Sequence, residues 1–165
     1  MIRALGRTER WTLLMMFWLV LCRLTSAPAA QGLSDVAIVV HPDVPVDNLT
    51  VSELRRIVLG DREFWPGGVR ITLLIRAPIA HERDVLLKTL CQMTEAQFRQ
   101  HWIGKVFRAD TALAPKIVYS DEMARDMVNR IGGGIAFVEA SKLGRDVKVV
   151  KLDGRLPGEK GYSLR

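Results

Sequence analysis

The sequence has few cysteines and few histidines, and it does not cluster them. Only two of the 165 residues are cysteines, Cys22 and Cys91, which is too few for a disulfide scaffold in a chain of this length. The three histidines, His41, His81 and His101, show no H-x-x-x-H or Cys/His spacing. These absences argue against a metal site, and the sequence gives no reason to expect a cofactor.

Recognised catalytic motifs are absent as well. The sequence contains neither a G-x-S-x-G element nor a Ser-His-Asp order typical of hydrolases. The glycines at 132–134 lack the Lys-Ser/Thr pair that follows a phosphate-binding loop, so we interpret them as a helix end that turns into a strand. The chain has scattered carboxylates without an evident pairing, among them Asp61, Glu63, Asp121 and Glu122. We therefore expect no catalytic residue and no enzyme activity.

The chain has no tract rich in lysine and arginine, although its net charge is +6. Half of this charge belongs to the first 29 residues, in which four arginines stand against the single acid Glu9. The remaining net charge of +3 is too small and too dispersed for the basic patch of a nucleic-acid-binding protein. We expect no nucleic-acid partner.

Only one long apolar run is present, Trp11–Cys22, and it lies near the N-terminus. Basic residues precede the run and small residues follow it, which is the arrangement of a secretory signal peptide over residues 1–29, cleaved after Ala29. The run is short for a bilayer span, which needs about 20 apolar residues. We expect export to the periplasm, and an uncleaved anchor is the alternative. Once Cys22 is removed with the leader, Cys91 stands alone, and its leucine neighbours predict that it is buried.

From about residue 30 onward, apolar runs typical of buried strands alternate with helix signals. The predicted strands are Asp35–Val40, Val69–Ile75, Lys116–Tyr119, Ile135–Val138 and Val147–Leu152. Strands that alternate with helices need crossover connections, which favours a largely parallel sheet covered on both faces. We expect one α/β domain over residues 30–152. Residues 153–165, rich in glycine and charge, are predicted to form a loose C-terminal tail.

Local signals also mark the helices. Thr50 and Thr94 each precede a Glu or Gln by three residues, which is the pattern of a capping box at a helix start. Ser120 is suited to cap a third helix. A fourth helix is predicted over His81–Cys91, with its leucines facing inward.

Several of these elements, in this order, resemble a known family. The segment Val36–Pro42 leads into Leu49–Gly60, a Trp-x-Gly element follows at Trp65–Gly67, and Met93–Phe107 and Gly133–Val138 complete the set. The order resembles the phosphate-binding proteins of ABC transporters, and more closely their short, single-lobe relatives. The resemblance implies an α/β fold that is a single lobe of a type II periplasmic binding-protein-like fold, with a mostly parallel sheet flanked by helices.

A candidate anion site follows the second long strand. Arg76 ends that strand, and the helix that begins near Ala80 follows; a guanidinium, a strand's carboxyl end and free helix N–H groups together suit an oxyanion. In the transporter proteins that the chain resembles, the corresponding loop carries an arginine and then a Ser-Gly-Thr cradle that holds phosphate. Here Arg76 keeps the arginine position, and the cradle reads Ala80-His81-Glu82. The candidate ligand-binding residues are Arg76, Ala80, His81, Glu82 and Arg83.

The altered cradle leaves two functions open. Ala80 lacks a hydroxyl, and the carboxylate of Glu82 in the first helical turn would repel an anion. The first function is an exported phosphate or oxyanion substrate-binding protein associated with an ABC transport system. The alternative is an envelope interaction or sensory module that keeps the fold but no longer binds phosphate. For Arg76 and Arg83, the competing interpretation is a solvated salt bridge with Glu82 or Asp84.

The two functions imply different partners and different surfaces. A substrate-binding protein would bind phosphate or another oxyanion in a concave polar pocket beside Arg76. An interaction module would present an exposed apolar patch there, for another envelope protein such as a sensor or a transporter component. A homodimer that rebuilds a two-lobed cleft would combine the two functions. In either case we expect contact with a membrane only through an uncleaved leader.

Overall fold

Six β-strands form one sheet in the part of the chain that the computed structural model describes, residues 35–111 and 113–165. The predicted signal peptide lies outside these residues. The strands are β1 (Val36–Val40), β2 (Asn48–Leu49), β3 (Thr72–Arg76), β4 (Lys116–Val118), β5 (Gly134–Glu139) and β6 (Lys148–Leu152). The helices are α1 (Val51–Val58), α2 (His81–Val85), α3 (Glu95–Phe107) and α4 (Asp121–Arg130), with a π-helical segment over Leu86–Cys91 and a short 3₁₀ turn over Ala140–Lys142.

The sheet is mixed but mostly parallel, as the sequence predicts. Its strand order is β2-β6-β1-β5-β3-β4, and the pairs β2/β6, β3/β5 and β3/β4 are parallel. Strand β1 runs antiparallel to both of its neighbours, with Val36 opposite Glu139 and Val40 opposite Ile135. All five residues of β1 are buried, which agrees with its uninterrupted apolar sequence. The predicted α/β class with a flanked sheet is confirmed.

Helices cover both faces of the sheet. One apolar cluster joins Ile38, Ile75 and Phe137 of the sheet to side chains of α1, the π-helical segment and α3. A smaller cluster on the opposite face joins Leu74 and Val138 to α4. No helix among the described residues is long and apolar enough to cross a membrane.

The predicted helix starts are found where the caps place them. The Thr50 side chain accepts a hydrogen bond from the N–H of Glu53, whose carboxylate accepts one from the N–H of Thr50. Thr94 and Gln97 form the same reciprocal pair at the start of α3. Ser120 caps α4. These side chains satisfy N–H groups that would otherwise lack partners at the helix starts.

Two predicted elements differ in detail. The helix predicted over His81–Cys91 begins as predicted but changes from α to π geometry after Val85. Its last residue, Cys91, is buried as predicted. The strand predicted from Val69 begins only at Thr72, because the chain before it makes a turn in which Phe64 bridges Arg70.

The prediction of a loose C-terminal tail is wrong. Residues 153–165 form no regular helix or strand, but Tyr162 and Leu164 are buried in the main apolar cluster. The Tyr162 hydroxyl donates a hydrogen bond to the carbonyl oxygen of Val36, at 2.7 Å, and the N–H of Val36 donates to the carbonyl oxygen of Leu164, at 2.9 Å. Composition alone missed this, because two well-placed apolar side chains are enough to fix a segment that is otherwise polar.

Candidate functional site

The candidate site lies at the edge of the sheet where β3 and β5 end and α4 begins. Arg76 is the last residue of β3, and α2 begins at His81 after Ala80, whose backbone is extended. The Ala80 side chain provides no hydrogen bond to the helix start, and His81 is partly buried. The predicted succession of strand end, arginine and helix start is therefore present, without a hydroxyl cradle.

Arg76 is already paired with a carboxyl group of its own chain. Its Nε atom donates to Oε2 of Glu82 at 3.4 Å. The Arg76 side chain is 12% exposed and Glu82 is 3% exposed. The pair that we considered as a competing interpretation is therefore formed, but it is buried rather than solvated. An anion that approaches Arg76 would meet the Glu82 carboxyl group.

A second buried carboxyl group lies against Glu82. Asp121, the first residue of α4, is hydrogen-bonded to Glu82, and burial together with this contact raises the pKa of Glu82. Burial acts to raise the pKa of Asp121 as well, but hydrogen bonds from Glu82, Lys142 and the Glu139 N–H hold it below its ordinary value. Of the two acids, Glu82 therefore holds a proton more tightly and Asp121 holds the negative charge.

Lys142 and Glu139 complete this cluster. The Lys142 ammonium group lies 3.1 Å from Oδ2 of Asp121 and 2.9 Å from Oε2 of Glu139. Oxygen atoms of Glu82, Asp121 and Glu139 all lie within 4.8 Å of one another, a separation that one cation could bridge. However, the Lys142 ammonium group already pairs with two of these carboxylates and Arg76 contacts the third, so the trio is a poor cation site.

Sequence reasoning missed Asp121, Glu139 and Lys142 as members of the site. It described Asp121 as one of several scattered carboxylates, whereas the structure pairs it with both Glu82 and Lys142. The available signal was positional: Glu139 ends a strand parallel to β3, and Asp121 begins the helix that follows β4. Charged residues at these positions of neighbouring strands converge at one edge of a sheet.

Arg83 has a different role from the one predicted. Its Nε and Nη2 atoms both donate to the Glu95 carboxylate at 2.8 Å, and its Nη1 donates to the Arg76 carbonyl oxygen at 2.9 Å. The interpretation that Arg83 pairs with Glu82 or Asp84 is wrong, because Asp84 pairs with Lys88 instead. This bidentate salt bridge connects α2 to α3, and it occupies the guanidinium N–H donors of Arg83 that a ligand would need.

One donor at the site has no acceptor. The Nη1 atom of Arg76 is buried and has no hydrogen-bond partner among the described residues. A buried donor without a partner costs about 1–3 kcal/mol, so an additional acceptor at this position would be favourable. This atom therefore still suits an incoming anion.

Beside this cluster lies an apolar groove of about 790 Å³, between α3 and β4. We call it the α3–β4 groove. Its lining is mostly apolar, and its charged members are Arg83, Glu95 and Arg99. The apolar lining residues are Ile75, Pro78, Phe98, Trp102, Ile103, Val106, Phe107, Ala114, Pro115 and Ile117. The structure therefore places an apolar surface beside Ile75 and Arg83, the strand neighbour and the hydrogen-bond partner of Arg76.

No family model matches this chain, and no curated protein matches it. Solved structures do match. An ABC-type phosphate transport receptor from Vibrio cholerae is 21% identical, with a TM-score of 0.61, over 75% of this chain and 48% of its own. PstS from Borrelia burgdorferi is 12% identical, with a TM-score of 0.64, over 79% of this chain and 54% of its own. A phosphate-binding protein from Stenotrophomonas maltophilia is 16% identical, with a TM-score of 0.54, over 75% of this chain and 40% of its own.

At these identities the likeness establishes the fold and nothing finer. The chain spans about half of the length of the solved structures that it matches. The fold implied by the sequence resemblance is confirmed: the domain is an α/β unit similar to part of the phosphate-binding proteins of ABC transporters.

Proposed function

We propose that this protein is an interaction module of the cell envelope that keeps a phosphate-binding-protein-like fold without serving as a phosphate receptor. The observation that carries this proposal is the buried contact between Arg76 and Glu82. In either protonation state, the Glu82 oxygens lie against the guanidinium group that an anion would need. The predicted leader supports localisation of the protein to the cell envelope. The role as a non-transport module is part of our proposal.

Electrostatics supports the same proposal. A phosphate at Arg76 would have to displace Glu82, and oxygen atoms of Asp121 and Glu139 lie within 4.8 Å of a Glu82 oxygen. Lys142 offers one positive charge against these two carboxylates, so an anion at Arg76 would be repelled by the negative charge that Lys142 leaves uncompensated. The single unpartnered donor of Arg76 is the only gain that this part of the described chain sets against the loss of the Glu82 contact and this repulsion.

The α3–β4 groove supports the positive half of the proposal. Large exposed apolar patches on soluble domains mark surfaces where another molecule binds. Phe107 is 91% exposed and Ile103 is 55% exposed, and both line the groove. An oxyanion pocket would be polar, whereas this groove is apolar.

Oxyanion binding, associated with an ABC transport system, is the second candidate function. Two observations favour it: the buried Nη1 atom of Arg76 has no acceptor, and the matching structures include proteins named for phosphate binding. In this case Glu82 would rotate away from Arg76 when phosphate binds.

Isothermal titration with phosphate and sulfate separates the two functions. We expect no heat of binding up to millimolar anion for the protein expressed from its full-length sequence. Micromolar binding that is lost in Arg76→Ala, but kept in Arg145→Ala, would instead establish oxyanion binding and overturn the proposal. Arg145 is a suitable control because it is exposed and lies in the loop before β6.

A further inference from the structure

Helix α3 is apolar on two sides. Phe98 and Trp102 lie on its inner side, where both are buried and their rings meet edge to face, with centroids 6.4 Å apart. Ile103 and Phe107 also lie four residues apart, and both are exposed. A helix on the surface of a soluble domain normally has one apolar face, so a second face indicates that something else packs there.

One wall of the groove is a helix along which a second helix could lie. Helix α3 has 13 residues and is therefore about 20 Å long, and it forms one wall. Pro78, Pro115 and Ile117 line the groove outside this helix, and its buried lining residues include Ile75 of β3 and Trp102 of α3. An amphipathic helix binds such a groove through apolar side chains spaced three or four residues apart.

The charges of the groove select the kind of helix. Arg83 and Glu95 neutralise each other through two hydrogen bonds. Arg99 is exposed, lies one turn before Ile103 on α3, and has no acidic partner among residues 35–111 and 113–165. The net charge that the groove offers to a partner is therefore positive.

The same charges argue against a second copy as the occupant. Residues 35–165 contain 20 lysines and arginines against 17 acidic residues, so a second copy does not bring the net negative charge that would complement the groove. A twofold contact through this groove would also bring the Arg99 side chains of both copies to one interface. Like charges that meet in an interface disfavour it.

We infer that the α3–β4 groove binds an amphipathic helix of another protein, whose apolar side chains enter the groove and whose acidic flank meets Arg99. This inference rests on the proposed function, since it names the partner of the interaction module. In this complex Phe107 and Ile103 make the apolar contact, and Arg99 favours a partner helix whose flank is acidic.

Two labelled peptides test the inference. Both are 18-residue helices with leucine at positions i, i+3, i+4 and i+7. Beside the leucine face, one peptide has glutamate and the other has lysine. Fluorescence anisotropy against the full-length protein should show binding of the glutamate peptide and at least tenfold weaker binding of the lysine peptide. Arg99→Glu should reverse this order, whereas Arg145→Glu, the same charge change in the loop before β6, should not.

A second variant tests the apolar contact. Phe107→Ser should weaken the glutamate peptide at least tenfold and leave folding unchanged by circular dichroism, since the Phe107 side chain is almost wholly exposed. The inference is overturned if the two peptides bind equally, if neither binds at one millimolar, or if Phe107→Ser binds as the wild type does. It is also overturned if sedimentation shows a dimer that Phe107→Ser dissociates.

The phosphate titration keeps the two proposals apart. If phosphate binds and the binding depends on Arg76, the proposed function fails whatever the peptides do. If phosphate is inert and the glutamate peptide does not bind, only the groove inference fails.

Discussion

At the scale of single residues, Glu82 determines what this site can do. Its carboxyl group contacts Arg76 on one side and Asp121 on the other, and it is almost completely buried. Part of this was predictable, because Glu82 lies in the first turn of a helix six residues after Arg76. The contact with Asp121 was not, because the two residues are distant in sequence and only the arrangement of the sheet brings them together.

We expect Glu82→Gln to make the free energy of unfolding less dependent on pH above about pH 4.5, which is the ordinary pKa of a glutamate side chain. The folded-state pKa of Glu82 is raised, so its contribution to stability is present at low pH and is lost as pH rises through that pKa. Glutamine does not titrate but still has an amide that can bond to Asp121. Urea unfolding at a series of pH values measures the effect.

The matched control for this experiment is Glu122→Gln. Glu122 is exposed, and a backbone hydrogen bond in its own first helical turn and another with Ser120 lower its pKa. Its contribution is therefore lost only as pH falls through that lowered value. A slope above pH 4.5 that is the same in Glu82→Gln and in the wild type would contradict the assignment of the tightly held proton to Glu82.

At the scale of elements, α3 carries most of the features that matter. It supplies one wall of the α3–β4 groove, and Glu95 in its first turn fixes Arg83 of α2. Its start is set by the capping box of Thr94 and Gln97, which the sequence predicts. Its exposed apolar side was not predicted as a surface, because spacing shows that residues share a face but does not show what covers that face.

We expect Thr94→Ala to lower the free energy of unfolding by about 1 kcal/mol, the usual cost of a lost N-cap. Thr94→Ser keeps the hydroxyl that accepts from the Gln97 N–H, so its effect should be only a few tenths of a kcal/mol. Chemical denaturation of the two variants makes the comparison. Equal stability of both variants would show that α3 does not depend on this cap.

At the scale of the whole molecule, the sequence predicted the fold better than the site. Among the residues that the structure describes, apolar runs and capping residues located five of the six strands and all four main helices, because these signals are local. The missed strand is the two-residue β2. The site depends on which chain ends meet at one edge of the sheet, and the position of the C-terminal segment depends on two side chains. Neither is encoded by local pattern.

We expect the C-terminal segment to contribute measurably to folding. Leu164 is 1% exposed, so Leu164→Ala should lower the free energy of unfolding by about 2–5 kcal/mol, as truncation of a buried leucine usually does. Ser163→Ala changes the exposed neighbour and should have little effect. Thermal or urea unfolding decides the point, and an unchanged midpoint for Leu164→Ala would mean that the segment is not anchored.

The burial of Cys91 at the end of the π-helical segment has a consequence for how the protein can be handled. Burial raises the pKa of this thiol to about 11, so near neutral pH the folded chain contains almost no thiolate at this position. Oxidants and alkylating reagents need that thiolate, and they also need access to the sulfur atom. Labelling of Cys91 therefore requires the segment to open, and the labelling rate measures how often the folded domain does so.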